Sequence, residues 1–544
     1  MVLSEEVTSL PELPALSAAT LCEAFQLTAA QFADSTALRT PGDERSLTWR
    51  QWADAVRRAA GGLASVGISR GDTVALMMTN RPEFNIVDMA ALHLGATPFS
   101  IYNSSAAEQV AYLFSNAGNR VVVAERQFVD VIRASGADVD IVVLEDGLPD
   151  ADLDDFDARW QAVEPGDIAT LIYTSGTTGP PKGVQLTHGN LMASLQGWGA
   201  GGFLDPGGRL VSYLPLAHIA DRFLHYYWAL GTGASITCVS DPTALLPAMV
   251  DTRPTGVLMV PRIWEKIKAS LEAKGIADPA ALPEDAKAAV RAQLGLDEAW
   301  WAGSGAAPIS PAVLEYFLAL GIPILEGWAM SETGCAGTIS PRDDVRVGSV
   351  GRLLPNVESK VADDGELLVR GPSIMIGYRN DPEKTAEAID EDGWLHTGDV
   401  VTIDEDGYVK IVDRKKELII TAGGKNISPA NIEQKLKSSS PLIGQACVIG
   451  DNRPYLVALV VLDPDGAMAY ATANGLDPSS ATLAVDAKVQ ELVADAVEGV
   501  NASLSRVEQV KRFTILGVDW LPDGAELTPT MKLKRRGVHA NHAD

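Results

Sequence analysis

The chain has 544 residues, more than a single hydrophobic core sustains, so two or more domains are expected. Its composition, 46% hydrophobic with a formal charge of −27, is globular and strongly acidic. That excludes an overall basic nucleic-acid footprint and electrostatic docking on an anionic membrane, and it means that any phosphate must be held by local lysines, arginines, backbone N–H groups or a metal.

The opening MVLSEEVTSLPELP lacks the apolar core of a signal peptide, and no apolar run reaches the ~18 residues of a spanning helix. Four cysteines (Cys22, Cys238, Cys335, Cys447) lie far apart, with no CxxC and no metal-like spacing. They read as free buried thiols in a reducing compartment, so a cytoplasmic protein, at most peripheral to a membrane, is expected.

Through residue 150 the pattern alternates. WRQWADAVRRAAGGLASVG has helical spacing and ends at glycine, DTVALMM is a buried strand, FNIVDMAALHLGA is helical and NRVVVAE is a strand. Such alternation predicts a largely parallel sheet covered by helices. IATLIYT then reads as a strand and HGNLMASL as a helix, with YTSGTTGPPKG between them, while GWGAGG at 197–202 reads as a loop. Further on, GVLMV is a strand, and RIWEKIKASLEAK places Ile263, Ile267 and Leu271 on one helical face. Ser310-Pro311 signals a helix start, a hydroxyl cap followed by proline, and IPILE follows as a strand.

Near residue 400 the texture changes. VVTIDEDGYVKIVDRKKE predicts a hairpin turning at Asp406-Gly407. Beyond it, Ser428-Pro429 opens a short helix, and QACVIGD, YLVALVVLD and VKRFTIL read as strands. A long helix carries the stripe Val485, Val489, Leu492, Val493, Ala496 and Val500. The boundary is expected at about 412–417, with a large α/β domain before it and a smaller α+β domain after it.

The stretch Tyr173 to Gly183 concentrates hydroxyls, glycines and one lysine. Glycine lets the backbone approach a ligand closely, while N–H groups, hydroxyls and Lys182 can donate to phosphate oxygens. It is not a Walker A sequence, because no Gly-Lys-Ser/Thr closes it.

YTSGTTGPPKG resembles the phosphate-binding signature of the adenylate-forming superfamily, which includes acyl-CoA synthetases, peptide-synthetase adenylation domains and luciferases. The likeness extends from about residue 20 to 536. LPLAHIADR at 214–222, GSGAAP at 303–308 and EGWAMSET at 326–333 follow in the family's order. HTGD at 396–399, DRKKELIITAGGKNISP at 413–429 and TPTMKLKR at 528–535 complete it. LPLAH with TPTMKLKR is most similar to the long-chain fatty acid–CoA ligase branch.

The resemblance implies a large adenylate-forming domain of layered sheets and helices over 1–412, a hinge over 413–416 and a small mobile α+β domain over 417–544. It implies ATP, Mg²⁺ and CoA, and a two-step reaction. A carboxylate first attacks the α-phosphate and releases pyrophosphate; the CoA thiol then attacks the acyl carbonyl and releases AMP. Lys532 takes the position of the lysine that bridges carboxylate and α-phosphate. Glu332 takes that of the Mg²⁺ ligand, and His218 stands beside the acyl carboxylate.

For ATP and AMP the matching positions are Thr174, Ser175, Gly176, Thr177, Thr178 and Lys182 in the loop. Gly303, Ser304, Gly305, Ala306, Glu326, Gly327 and Trp328 match around the adenine. Ser331 matches at the α-phosphate, Asp399 at the ribose and Arg414 in the link between domains. Lys416 falls at the hinge, and Gly423, Gly424 and Lys425 would line the CoA path. Trp328-Ala329 stands where Tyr-Gly is commoner, and Met531 precedes Lys532 where many relatives have glycine.

The expected substrate is a medium- or long-chain fatty acid, with no nucleic-acid partner. Beside that reading stand an acyl-AMP ligase loading an acyl carrier protein, a CoA ligase for an aryl or specialised carboxylic acid, and a silent nucleotide-binding module.

Overall fold

Strands buried on both faces need continuous apolar runs, and VVVA of Val121–Ala124 and TVALM of Thr73–Met77 are enclosed at every position. They are neighbouring interior strands of a seven-stranded sheet. Its order is Gly377–Tyr378, Lys182–Thr187, Ile168–Thr174, Thr97–Ser100, Thr73–Met77, Val121–Ala124, Asp140–Val143. From Ile168–Thr174 to Asp140–Val143 all pairings are parallel, as the alternating pattern predicts. The last two strands on the other edge are antiparallel. The computed structural model describes residues 13–174, 180–420, 426–451, 453, 455–521, 524–528 and 531–542.

A second, five-stranded sheet runs Gly256–Leu258, Trp301–Ser304, Ile324–Ala329, Gly337–Ile339, Arg352–Leu353. Its first three strands are parallel and its last two antiparallel. Helix Pro261–Ala273 buries Trp264, Ile267 and Leu271 against it, with Ile263 partly buried. Helix Pro311–Ala319 starts at Ser310 with proline at its first position, but the Ser310 side chain makes no capping hydrogen bond, so proline and burial carry that start without the hydroxyl.

Two smaller sheets complete the large body. In one of them Leu395–Ile403 and Val409–Arg414 form the expected hairpin, turning through Gly407 at φ 82°.

The small body has its own core. Strands Ile443–Ile449, Leu456–Leu462 and Val510–Leu516 form one sheet, covered by helices Pro429–Ser439 and Ala487–Ala502. Ser428 caps the first helix by accepting from the Asn431 N–H. In the second, Val489, Val493, Val497 and Val500 are buried, each such side chain contributing roughly 1.5–3 kcal/mol.

The stripe therefore includes Val497, while Leu492 and Ala496 sit at its margin. Val485 is not part of it: it precedes the helix and is 81% exposed, because Asp486 caps the N-terminus through the Lys488 and Val489 N–H groups and ends the preceding turn.

Two further expectations are corrected. The glycine- and threonine-rich loop does not join a strand to a helix. It joins Ile168–Thr174 to the antiparallel strand Lys182–Thr187, and the helix His188–Ala200 begins only after that. Gly197 and Gly199 lie inside this helix rather than in a loop, because Gly197 packs where an added Cβ would meet Asn356 Oδ1 at 2.2 Å. Among the described residues no helix is long and apolar enough to cross a membrane.

Candidate active site

The hairpin that carries the phosphate-type loop pairs Thr174 with Lys182, so both flank the loop at its base. Ser175, Gly176, Thr177 and Thr178 lie outside the described residues. The half-buried Lys182 ammonium stands 4.4 Å from the centroid of the Tyr378 ring. Burial lowers its pKa below the ordinary lysine value; Glu332 opposes that shift, and Lys416 and Lys384 add to it.

Glu332 sits in a tight turn that follows strand Ile324–Ala329. Its carboxylate is buried and accepts from Tyr378 Oη at 2.9 Å, while its backbone carbonyl accepts from the Met375 N–H. Ser331 beside it is buried too. The turn closes through Cys335, held at φ 68°, whose carbonyl accepts from Trp198 Nε1.

His218 caps the short helix after strand Arg209–Ser212, its Nδ1 accepting from the Ala220 N–H at 3.1 Å. That bond leaves the proton on Nε2. Burial, with the positive charge of Lys532 adding to it, pushes the imidazole down to about 3, so it is neutral at physiological pH.

Asp399 and Arg414 are register partners across the hairpin and form an ion pair at 3.2 Å. The other Asp399 oxygen accepts from Trp328 Nε1 at 2.8 Å. The indole thus contributes a polar edge as well as an aromatic face.

Ser304 is the register partner of Glu326, and Thr338 that of Trp328, so all four side chains share one face of the five-stranded sheet. Burial raises the Glu326 carboxyl to about 7, against the Gly348 backbone N–H. Among the described residues the buried Ser304 and Thr338 hydroxyls have no hydrogen-bond partner. Gly303 pairs with both Leu258 and Leu325, shortly before a bend where Ala306 takes φ 67°, and an added Cβ at Gly327 would press on Ile339 and the Thr338 carbonyl.

Lys532 comes from the small body. Its backbone N–H donates to Thr528 Oγ1, and Met531 before it takes φ 63°. The residue keeps exposed surface. Desolvation of the ammonium by the protein around it, with Arg414 adding its charge, lowers it to about 8, against the attraction of Asp399, Glu332 and Glu417. The lysine is therefore within electrostatic reach of Arg414, Asp399, Glu332 and His218, all contributed by the large body and the link.

Arg535, three residues on, fixes this segment. Its guanidinium donates to both Glu433 oxygens at 2.7 Å and lies 3.4 Å from Glu417. Lys416 is exposed in a turn closed by the Glu417 and Leu418 N–H groups on the Arg414 carbonyl. Gly423, Gly424 and Lys425 lie outside the described residues.

Tyr378 and Glu417 are contacts that sequence reasoning did not single out. Tyr378 lies in a glycine- and proline-rich run, GPSIMIGYRNDP, where no local pattern marks a site residue. Only the sheet edge brings it to Glu332.

A layered α/β body whose carboxylates face a lysine from a small α+β body is the architecture of an adenylate-forming enzyme. The description "AMP-binding enzyme" matches residues 25–379, and "AMP-binding enzyme C-terminal domain" matches residues 416–544. The chain belongs to the AMP-binding enzyme family.

It is 48% identical over 430 residues to a Mycobacterium tuberculosis protein provisionally named fatty-acid–CoA ligase fadD11, covering 72% of this chain and 75% of that one. It is 36% identical over 544 residues to the long-chain-fatty-acid–CoA ligase FadD15 of Mycobacterium bovis, covering 90% of each. In structure it is similar to O-succinylbenzoate coenzyme A synthetase of Bacillus subtilis, solved with ATP and magnesium ion. There the TM-score is 0.74 and the identity 22%, with 94% of this chain and 98% of that one covered.

Proposed function

We propose that this chain is an ATP- and Mg²⁺-dependent fatty acid–CoA ligase acting on medium- or long-chain acids. The observation that carries the reading is the approach of Lys532, on the small body, to His218, Glu332 and the Asp399–Arg414 pair. The names of the relatives above support the ligase and its substrate class.

The residues present fit the nucleotide and its metal. The two unpartnered hydroxyls, Ser304 and Thr338, share a face with Glu326 and Trp328, a surface suited to a purine that brings its own donors and acceptors. Asp399 is placed for ribose hydroxyls. Lys182, Thr174 and Ser331 would take the phosphates, together with Ser175, Gly176, Thr177 and Thr178 of the loop. Glu332 would hold Mg²⁺, which when bound supplies neutralising charge on the phosphate oxygens.

In the first half-reaction a carboxylate oxygen bonds to the α-phosphorus and pyrophosphate leaves. The neutral His218 donates from Nε2 to the carboxylate and orients it. Lys532 bridges carboxylate and α-phosphate, offsetting the repulsion between two anions. Holding the reactants in line contributes roughly 7–11 kcal/mol more.

In the second half-reaction the CoA sulfur bonds to the acyl carbon and AMP leaves. The small domain, 417–544, turns on 413–416 relative to 1–412 between the halves, withdrawing Lys532 and presenting Gly423, Gly424 and Lys425 to the CoA arm. Burial of the tail at ~0.8 kcal/mol per methylene gives a length preference without polar readout. Four free buried cysteines suit the reducing cytoplasm.

Pyrophosphate and AMP release, measured over a panel of acids with and without CoA, tests the reading. AMP formation that requires both a fatty acid and CoA is expected. Adenylate accumulating despite CoA would assign a carrier-loading ligase instead, preference for aryl acids would replace the substrate class, and no turnover with any acid would leave a silent nucleotide-binding module.

A further inference from the structure

We propose that Tyr378 is a positioning residue that couples the metal ligand Glu332 to the phosphate-side Lys182. The inference rests on the reading of Glu332 and Lys182 given above and adds a residue to it.

A single short segment holds both groups. The Met375 N–H donates to the Glu332 carbonyl, and the Tyr378 hydroxyl donates to Glu332 Oε1 at 2.9 Å, so the glutamate is gripped at backbone and side chain. The same segment is hydrogen-bonded along the Lys182 strand. Gly377 pairs with Gln185 and Tyr378 with Val184, and the Arg379 N–H donates to the Gly183 carbonyl at 2.7 Å. The segment is braced from behind as well, the Tyr378 N–H donating to Thr385 Oγ1 at 2.9 Å. At Gly377, φ is 142° and an added Cβ would meet Thr385 at 2.7 Å, so glycine lets the strand sit that close.

The Tyr378 ring is buried and lies beneath the Lys182 ammonium at 4.4 Å, an attractive arrangement of cation over ring.

A tyrosine serving packing alone needs no carboxylate partner for its hydroxyl. Here the hydroxyl occupies one oxygen of Glu332 and restrains the carboxylate, and the metal that Glu332 would hold would take up the remaining acceptor capacity. The ring separately sets the height of Lys182. The two functions reside in different atoms of one side chain, and two substitutions separate them.

The test is titration calorimetry of the full chain with α,β-methylene ATP, with and without Mg²⁺. Tyr378→Phe keeps the ring and loses the hydroxyl. Its affinity without Mg²⁺ should match wild type, while the gain on adding Mg²⁺ should shrink by about tenfold, the scale of a hydrogen bond to a charged group. Tyr378→Leu also removes the ring and should weaken metal-free binding severalfold. Thermal denaturation of Tyr378→Phe should stay within a few degrees of wild type.

A Phe variant that keeps the full Mg²⁺ gain overturns the proposal while leaving the ligase reading intact, and so does an equal loss with and without Mg²⁺ in both variants. A wild-type chain that binds no ATP analogue under either condition overturns the ligase reading and this coupling together.

Discussion

Arg222 and Lys532 are both cations set beside carboxylates, and the molecule treats them in opposite ways. Arg222 is fully buried and each of its nitrogens has a partner: Nε donates to Tyr227 Oη at 2.8 Å, Nη1 to Ser100 Oγ at 3.1 Å, and Nη2 pairs with the equally buried Asp88. Lys532 has Asp399, Glu332 and Glu417 drawing on it, yet among the described residues its ammonium closes no salt bridge. One charge is spent within the fold; on the proposed function the other is kept for a substrate. Both stretches are charged in the sequence, LAHIADR and MKLKR, so charge alone does not separate a structural cation from a reacting one. The number of neighbours bonded to it does.

The sharpest way to break this contrast is Lys532→Ala. Pyrophosphate formation should fall by roughly 10²–10³, the scale of losing one charge-stabilising donor. Thioester formation from supplied acyl-adenylate should change only severalfold, and the melting temperature should hold. Equal losses in both half-reactions would remove the role assigned to it.

Arg222→Met should do the reverse. It leaves Asp88 buried and unpaired, so urea denaturation should show about 3–5 kcal/mol of lost stability. The double variant Arg222→Met, Asp88→Leu should recover part of it, and no recovery would mean that the pair is not what holds the site.

A gentler probe is pH. The Lys532 ammonium sits near 8 and must be charged to bridge two anions, so adenylation should decline as pH rises through about 8. Lys532→Arg, whose guanidinium keeps its proton, should shift that decline upward. A rate profile identical in both proteins would place the titrating group elsewhere.

Much of this was legible beforehand, for identifiable reasons. The central parallel strands announce themselves because burial on both faces forces apolar runs such as VVVA. The Asp406-Gly407 turn shows because its chemistry is local. The partner strand after the loop was missed because KGVQLT carries a lysine and a glutamine, and its place between Ile168–Thr174 and the edge strand Gly377–Tyr378 is decided partly by residues far away in sequence. Val485 was misassigned because periodicity continues past a cap that one aspartate imposes. Tyr378 was invisible for the same reason as the strand: its partners, Lys182 and Glu332, meet it only through pairing across the sheet edge.

The helix Pro261–Ala273 also meets the small body: Arg262 pairs with Asp463, Lys266 with Asp465 at 2.6 Å, and Glu265 accepts from Gln434. If the small domain swings once per turnover, these contacts are traded for water each time. Dissolved ions weaken such exposed pairs over a screening length of about 8 Å at physiological strength. The surrounding electrolyte then becomes a throttle on the cycle, loosening the first posture and favouring departure toward the second.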